Sequence, residues 1–328
     1  MTLTRVLTRS DVRALLDMAS CVEAVERAFR LHGEGASVGP GVLGTHVTGG
    51  GFHVKAAGLM GDRSYYAAKV NANFPGNPRT TGLPTIQGVV VLHDSTNGAV
   101  LAIMDSIEIT ILRTAAASAV AAKYLSRDDA RILTIIGCGA QSRSHVSALA
   151  TVRPLEHVFA FDVDADRATR FVHDISAGGI PSSAVADYRA AVLASDMIVT
   201  CTPSRVPFLG PGDLPSGAFL AAVGADSEDK QELDPLLLAD SAVVVDVLEQ
   251  CATIGELHHA IDSGAMTRGD VRGDLAGLVG KHFVGRRSRD ERVIFDSTGT
   301  ALQDVAAAAV VYERSCSRGG GIELQLSD

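Results

Sequence analysis

Three charged side chains stand where a folded chain must account for them. Lys69 interrupts the apolar, strand-like run Tyr66-Ala67-Ala68-Lys69-Val70, and a charge inside such a run costs free energy unless a partner or ligand meets it. A lysine partly withdrawn from water gives up its proton more readily, so it can serve as an acid or base near neutral pH. The competing reading is an edge-strand lysine turned to water. Arg113 precedes, with Thr114, an alanine-rich helical run over 115–122. A cation at a helix start opposes the macrodipole, and a guanidinium there is better employed gripping a carboxylate through two parallel hydrogen bonds. An ion pair with Asp105 or Glu108 is the alternative. Asp226 follows an apolar run over 218–223 through Gly224-Ala225. That is the carboxyl end of a parallel strand, where open α/β sheets bind ligands. It could equally cap a helix, or belong to the charged loop of Glu228, Asp229 and Lys230.

A second group has the spacing of a nucleotide site. The apolar run 132–136 leads directly into Gly137-Cys138-Gly139-Ala140-Gln141, with Ser142 where a third glycine would be expected. A glycine turn between strand and helix lets backbone N–H groups approach a pyrophosphate. The next such run ends Ala160-Phe161-Asp162, 23 residues after Gly139, close to the offset of about 20 expected of a ribose-binding acid. An acid there accepts hydrogen bonds from both ribose hydroxyls and repels a 2′-phosphate, so NAD is expected rather than NADP. Thr202-Pro203-Ser204 and Ser297-Thr298-Gly299 follow later strand-like runs. Their hydroxyls suit a nicotinamide pocket or helix caps equally well.

Two textures of sequence position these residues. Six nearly all-apolar runs, over 131–136, 157–161, 197–202, 218–223, 242–247 and 292–295, alternate with helical segments, which predicts a doubly wound parallel sheet. The first third differs. A helix is expected over 11–31 with Ser10 as N-cap, followed by alternating strands over 51–58, 65–70, 88–93 and 99–104. Their alternation predicts an antiparallel sheet with one face exposed or paired with another subunit. Asp105 and Glu108 have the form of a capping pair for a helix running to Leu125. A last helix, over 301–313, is expected to pack back on the first domain.

Composition narrows the function classes. The chain has 328 residues and a net charge of −9, and an acidic chain lacks the basic stripe that a nucleic-acid partner requires. The arginines at 286, 287 and 289 are diluted at once by Asp290 and Glu291, and read as a solvated turn. Five scattered cysteines with no C-x-x-C spacing point to thiols in a reducing compartment, and the histidines lack metal-ligand spacing, so no metal is expected. No apolar h-region and no membrane-length run appears, so a cytoplasmic enzyme is expected.

Taken in order, these segments resemble the ornithine cyclodeaminase/μ-crystallin family over nearly the whole chain. The resemblance is carried by Ala68-Lys69-Val70-Asn71 with Asn73 and Pro75, by Gly82-Leu83-Pro84-Thr85, and by Asp105 through Arg113-Thr114-Ala115-Ala116. It continues through Gly137-Cys138-Gly139-Ala140-Gln141, Gly224-Ala225-Asp226 with Lys230, Glu232 and Leu233, and Phe295-Asp296-Ser297-Thr298-Gly299. It implies a Rossmann NAD-binding domain over 114–303 and a smaller α+β substrate-binding and dimerisation domain over 1–113. A helix over 304–328 would join the smaller domain, and the assembly would be a homodimer. Lys69 would face the substrate carboxylate and nitrogen, Thr85 and Arg113 would help hold the carboxylate, and Asp226 would be the general acid/base. Gly137, Gly139, Ala140, Gln141, Asp162, Thr202, Ser204, Lys230 and Ser297 would bind the cofactor.

One departure stands out. The family carries a carboxylate-binding arginine a couple of dozen residues before the strand lysine, and here that stretch reads Gly44-Thr45-His46, leaving Lys55 or His53 to substitute. The expected function is an NAD-dependent imine reductase or amino-acid dehydrogenase acting on a small amino or imino acid. An ornithine or lysine cyclodeaminase with catalytic NAD is the alternative, and a non-catalytic μ-crystallin-like binder is the reading from another class.

Overall fold

The computed structural model describes residues 3–326. They fall into two compact units: residues up to Thr114 together with those from Thr300 onward, and Ala115–Gly299.

Unit 1 begins with strand β1 (Thr4–Leu7) and helices α1 (Arg9–Leu15) and α2 (Met18–Gly33). Strands β2 (Ser37–Val47), β3 (Gly50–Met60) and β4 (Ser64–Asn73) follow, then the short helix α3 (Asn77–Thr80), β5 (Ile86–Asp94) and β6 (Val100–Asp105). Helix α4 (Ser106–Leu125) begins in this unit and ends in the next.

Unit 2 continues with β7 (Ile132–Ile136), α5 (Ser142–Ala150), β8 (His157–Phe161), α6 (Ala165–Ala177), β9 (Ser182–Ala184) and α7 (Tyr188–Leu193). Next come β10 (Met197–Thr200), β11 (Arg205–Leu209), β12 (Phe219–Ala222), β13 (Gln231–Leu233), α8 (Pro235–Ala239) and β14 (Ala242–Val245). Its last elements are α9 (Leu248–Ile254), α10 (Glu256–Asp262), β15 (Gly273–Asp274), α11 (Leu275–Val279) and β16 (Val293–Asp296). The chain then returns to unit 1 as α12 (Ala301–Arg318) and β17 (Ile322–Leu324).

The single helix expected over 11–31 is two. Thr8 and Asp11 form a capping box that starts α1, Leu16 is extended, and the Asp17 side chain caps α2 by accepting the Ser20 N–H. Two local caps with an extended residue between them outweigh the continuous apolar spacing. Ser10 is therefore inside α1 and caps nothing. The side chain of Asp105 does cap α4, accepting the Ile107 N–H at 2.9 Å, whereas Glu108 turns instead to Arg13.

The sheet of unit 1 runs β17-β1-β6-β5-β4-β3-β2. Strands β2 to β6 are antiparallel, but β1 pairs parallel with β6, so the sheet is mixed where an antiparallel one was expected. Its neighbouring strands place Lys55, Lys69, Val90 and Met104 on one rung, and residues directly opposite one another share a face. That face is covered by α12, which packs on β3, β4 and α2. The other face leaves Leu43, Phe52, Val70 and Val89 exposed. The last helix stops at Arg318 and the chain forms β17, so the helix expected to continue to 328 ends where Gly319-Gly320-Gly321, all at positive φ, end it.

The sheet of unit 2 runs β15-β14-β16-β12-β10-β7-β8-β9, all parallel. It has eight strands rather than six, because β9 and β15 are too short to show as apolar runs. Strand β7 leads outward to β8 and β9, whereas β10 takes up its other side, so the direction of winding reverses between β7 and β10. That is the switch point at which such sheets bind ligands. Ile136, Ile198, Leu220, Val243 and Ile294 share one buried core with residues of α8, α9 and α10. Arg286, expected in a solvated turn, is anchored instead by donating to the carbonyls of Leu125, Ala218 and Glu291. No helix among the described residues is long and apolar enough to cross a membrane.

Candidate functional site

Strand β4 buries every second side chain, Tyr65, Ala67 and Lys69, while Val70 faces out. Lys69 thus occupies a core position in a central strand and is 3% exposed, which excludes the edge-strand reading. Its partner comes from the other end of the chain. Lys69 Nζ lies 2.8 Å from both carboxylate oxygens of Asp304, in the first turn of α12, and 3.4 Å from Thr110 Oγ1.

Arg113 binds the same carboxylate, Nε to Oδ1 at 2.9 Å, and its Nη1 donates to Gln303 Oε1 at 2.7 Å. It is 4% exposed and lies in the middle of α4. The expected helix start at Arg113 is therefore corrected, and its partner is neither Asp105, which pairs with Arg9, nor Glu108. Arg113 Nη2 donates to no acceptor among the described residues.

Electrostatics in this cluster run against Lys69. Burial lowers its pKa to about 7, with the Arg113 charge adding to that effect, Asp304 opposing it and Lys55 adding a smaller push. Burial alone would raise the Asp304 carboxyl, but Lys69 and Arg113 outweigh it and hold it below its ordinary value. Lys55 stands directly opposite Lys69, with His53 two residues along and opposite Asn71. Thr85 is half-buried just before β5, where its carbonyl accepts the Phe74 N–H at 2.8 Å. No hydrogen bond among the described residues joins Thr85 to Lys69 or Arg113.

The candidates in unit 2 lie along one edge of the sheet. Ile136, Phe161, Thr200, Ala222 and Asp296 end five neighbouring strands on one level. The segments just beyond them carry Gly137 to Gln141, Asp162, Thr202 with Ser204, Asp226, and Ser297. Gly137 has φ +97, and a Cβ there would lie 2.8 Å from the Cys201 carbonyl oxygen, so only glycine fits. A Cβ at Gly139 would meet open space. The N–H groups of Gly139, Ala140 and Gln141 enter no hydrogen bond among the described residues, and α5 starts immediately after them.

Asp162 accepts the Cys138 N–H at 2.8 Å and the Asp164 N–H at 2.9 Å, tying the strand end to the glycine turn. Gln141 Oε1 and Ser297 Oγ are buried and unpartnered. Free N–H donors ahead of a helix, space over Gly139 and an acid at the next strand end fit a dinucleotide.

The hydroxyl candidates separate. Thr202 Oγ1 accepts the Ser204 N–H at 3.2 Å, and Ser204 Oγ donates to the Val206 carbonyl at 2.7 Å, so both shape a turn and neither caps a helix. The cap of α12 is Thr300, not Ser297. Asp226 is in a loop, and Lys230 Nζ lies 2.5 Å from its Oδ1. Lys230, expected at the cofactor, is thus paired with Asp226.

Three contributors escaped the sequence reading. Asp304 and Gln303 are polar residues directly ahead of the apolar run 305–311 of α12, and that contrast was the available signal. Glu232 carried no role either. It is fully buried, and accepts the Thr202 and Gly224 N–H groups and the Thr200 hydroxyl. It thereby fixes the two loops that carry Ser204 and Asp226.

The model of the ornithine cyclodeaminase/mu-crystallin family matches residues 3–319. The alanine dehydrogenase of Archaeoglobus fulgidus is 37% identical over 322 residues, covering 98% of each chain. An archaeal alanine dehydrogenase dimer with bound NAD superposes with a TM-score of 0.95 at 37% identity, over 99% of this chain and 100% of that one. The Delta(1)-pyrroline-2-carboxylate reductase of Thermococcus litoralis, in complex with NADH and L-proline, gives 0.94 at 32% identity, over 98% and 100%. With the family model spanning nearly its whole length, the chain belongs to the ornithine cyclodeaminase/mu-crystallin family.

Proposed function

We propose that this protein is an NAD-dependent oxidoreductase acting at the Cα–N centre of a small amino or imino acid, as an imine reductase or amino-acid dehydrogenase. The observation that carries the reading is the buried pair of cations on Asp304. Lys69 and Arg113 are held together on one carboxylate, yet Arg113 Nη2 remains uncommitted. A carboxylate beside a basic nitrogen is the ligand such a pair suits. The similarity to an alanine dehydrogenase and a pyrroline-carboxylate reductase supports the same substrate class.

In this reading Arg113, Thr85 and Lys55 hold the carboxylate, and Lys69 faces the carboxylate and the nitrogen. Gly137, Gly139, Ala140, Gln141, Asp162, Thr202, Ser204, Lys230 and Ser297 hold NAD. When bound, the nicotinamide supplies a hydride to the α-carbon or takes one from it. Reduction of an imine also places one proton on nitrogen. Lys69, with its pKa near 7, is suited to hold that proton at neutral pH. Asp226 acts as the general acid/base, oriented by Lys230. The protein acts as a homodimer through the exposed face bearing Leu43, Phe52, Val70 and Val89, a patch that light scattering of Val70→Asp addresses: the variant is expected to be a monomer.

The test follows NADH absorbance with a 2-oxo acid plus an amine, and with a pyrroline- or piperideine-carboxylate. Consumption of NADH is expected. Release of ammonia from ornithine with catalytic NAD and no accumulation of NADH would overturn the reading in favour of a cyclodeaminase. Binding without turnover of either set would leave a carrier of ligands.

A further inference from the structure

Among the described residues, Asp304 is the acid in contact with both Lys69 and Arg113. Groups facing Lys69 come from every element packed on it. Lys55 stands across from it on β3, Val90 on β5, Thr110 and Arg113 come from α4, and Asp304 from α12. Three of these groups are basic, counting Lys69, and one is acidic. Asp304 is itself 1% exposed, so its charge is screened less than that of a surface carboxylate.

We infer that Asp304 is a positioning residue of the substrate site, fixing the Lys69 amine and the Arg113 guanidinium as one unit whose remaining donors are left for a carboxylate-bearing ligand. Gln303, next to it, completes the hold on Arg113. Because Arg113 Nη1 can only donate, the Gln303 atom 2.7 Å away is the amide oxygen. Two of the three guanidinium nitrogens are thereby committed to α12, and Nη2 alone is left over. The same carboxylate has a second consequence. Among the described residues it is the anion that opposes the burial stripping the proton from Lys69, so the proton on that amine is held against a tendency to leave. Asp304 therefore sets both where the ammonium sits and over what pH range it exists.

This inference rests on the substrate reading above, and its test is arranged so that the two can fail separately. Asp304→Asn keeps the shape and an acceptor while removing the charge. Two readouts are needed. The first is the titration of Lys69 itself, followed by the 13Cε signals of protein labelled at Lys55, Lys69, Lys123, Lys230 and Lys281, with Lys69→Arg assigning the resonance. Without its anion Lys69 loses its proton more easily, and its midpoint is expected to move toward acid by about one unit or more. The second is the kinetics of the NADH-loaded enzyme. KM for the imino acid is expected to rise at least about tenfold, with the Kd for NADH unchanged within a factor of about two, and the limb of the pH–rate profile owed to Lys69 is expected to move toward acid as well.

An unmoved Lys69 midpoint overturns the inference, whatever happens to the rate. A chain inert toward every imino acid, but with the midpoint shifted, would instead sink the substrate reading and leave the role of Asp304 standing. Asp304→Glu covers the case in which the asparagine variant does not fold. It retains the charge but displaces it by a methylene, so KM is expected to rise while the midpoint stays near its original value. A glutamate variant whose KM matches the original protein would remove the positioning role.

Discussion

Under the sheet of unit 1 two buried cations gather on one acid: Lys69 and Arg113 on Asp304. At the strand ends of unit 2 buried acids gather on backbone. Glu232 accepts the N–H groups of Thr202 and Gly224, Glu256 those of Glu232 and Leu233, Asp246 those of Val247 and Gly299, and Asp296 that of Leu257. No lysine or arginine forms an ion pair with these four among the described residues. A side chain tied to fixed N–H groups sets loop geometry, whereas a pair of cations with an uncommitted donor is built to receive an anion. Under the proposed function, this contrast is what gives recognition of the substrate acid to unit 1 and the shaping of the cofactor loops to unit 2.

The largest effects should test that division directly. Lys69→Met is expected to lower kcat/KM for an imino acid about 10³-fold, as loss of a general acid or base does, while the Kd for NADH changes less than about twofold. Asp226→Asn is expected to cost a comparable factor, also without loss of NADH binding. Loss of NADH affinity on replacing Lys69, measured by fluorescence titration, would break the division.

A smaller effect sharpens it within the glycine turn. Gly137→Ala forces a side chain into a positive-φ position already crowded by the Cys201 carbonyl, and should lower Tm and weaken NADH binding about tenfold or more. Gly139→Ala places its methyl in open space, so Tm should hold while NADH binding still weakens. Equal thermal loss in the two variants would show that the space over Gly139 is not reserved for a ligand.

The mildest expectation concerns the buried acids. Burial raises Asp296 to about 7, with the charge of Asp246 adding to it despite the Leu257 N–H. An acid whose folded pKa is raised binds its proton more tightly in the folded state. Its contribution to stability is therefore greatest below its unfolded pKa and is lost as pH climbs toward 7. Asp296→Asn should remove this dependence, so the Tm of the variant relative to the original protein should rise between pH 4 and pH 8. A difference in Tm that stays flat across that range would mean that Asp296 is already ionised in the fold.

Much of the architecture was legible because it is local. Parallel strands covered on both faces are nearly all apolar over a few residues, and that marked six of the strands of unit 2. Strands β9 and β15 escaped because three and two residues carry no pattern. The glycine turn and Asp162 lie within one strand–helix–strand unit, separated by α5 and β8, so their spacing could be measured along the chain. The break between α1 and α2 depended on two cap residues, Thr8 and Asp17, whose influence spans three residues each and is easily hidden by continuous apolar spacing.

What the sequence determined by itself was the class of sheet, the nucleotide turn, and the suspicion attached to Lys69, since each depends on neighbours within a few tens of residues. Only the tertiary structure decided what that lysine meets. Asp304 lies 235 positions further along the chain, and no periodicity links two residues whose contact is made by a helix returning across a sheet. A buried charge announces that it needs a partner, but which side chain fills the need is settled only when distant segments pack.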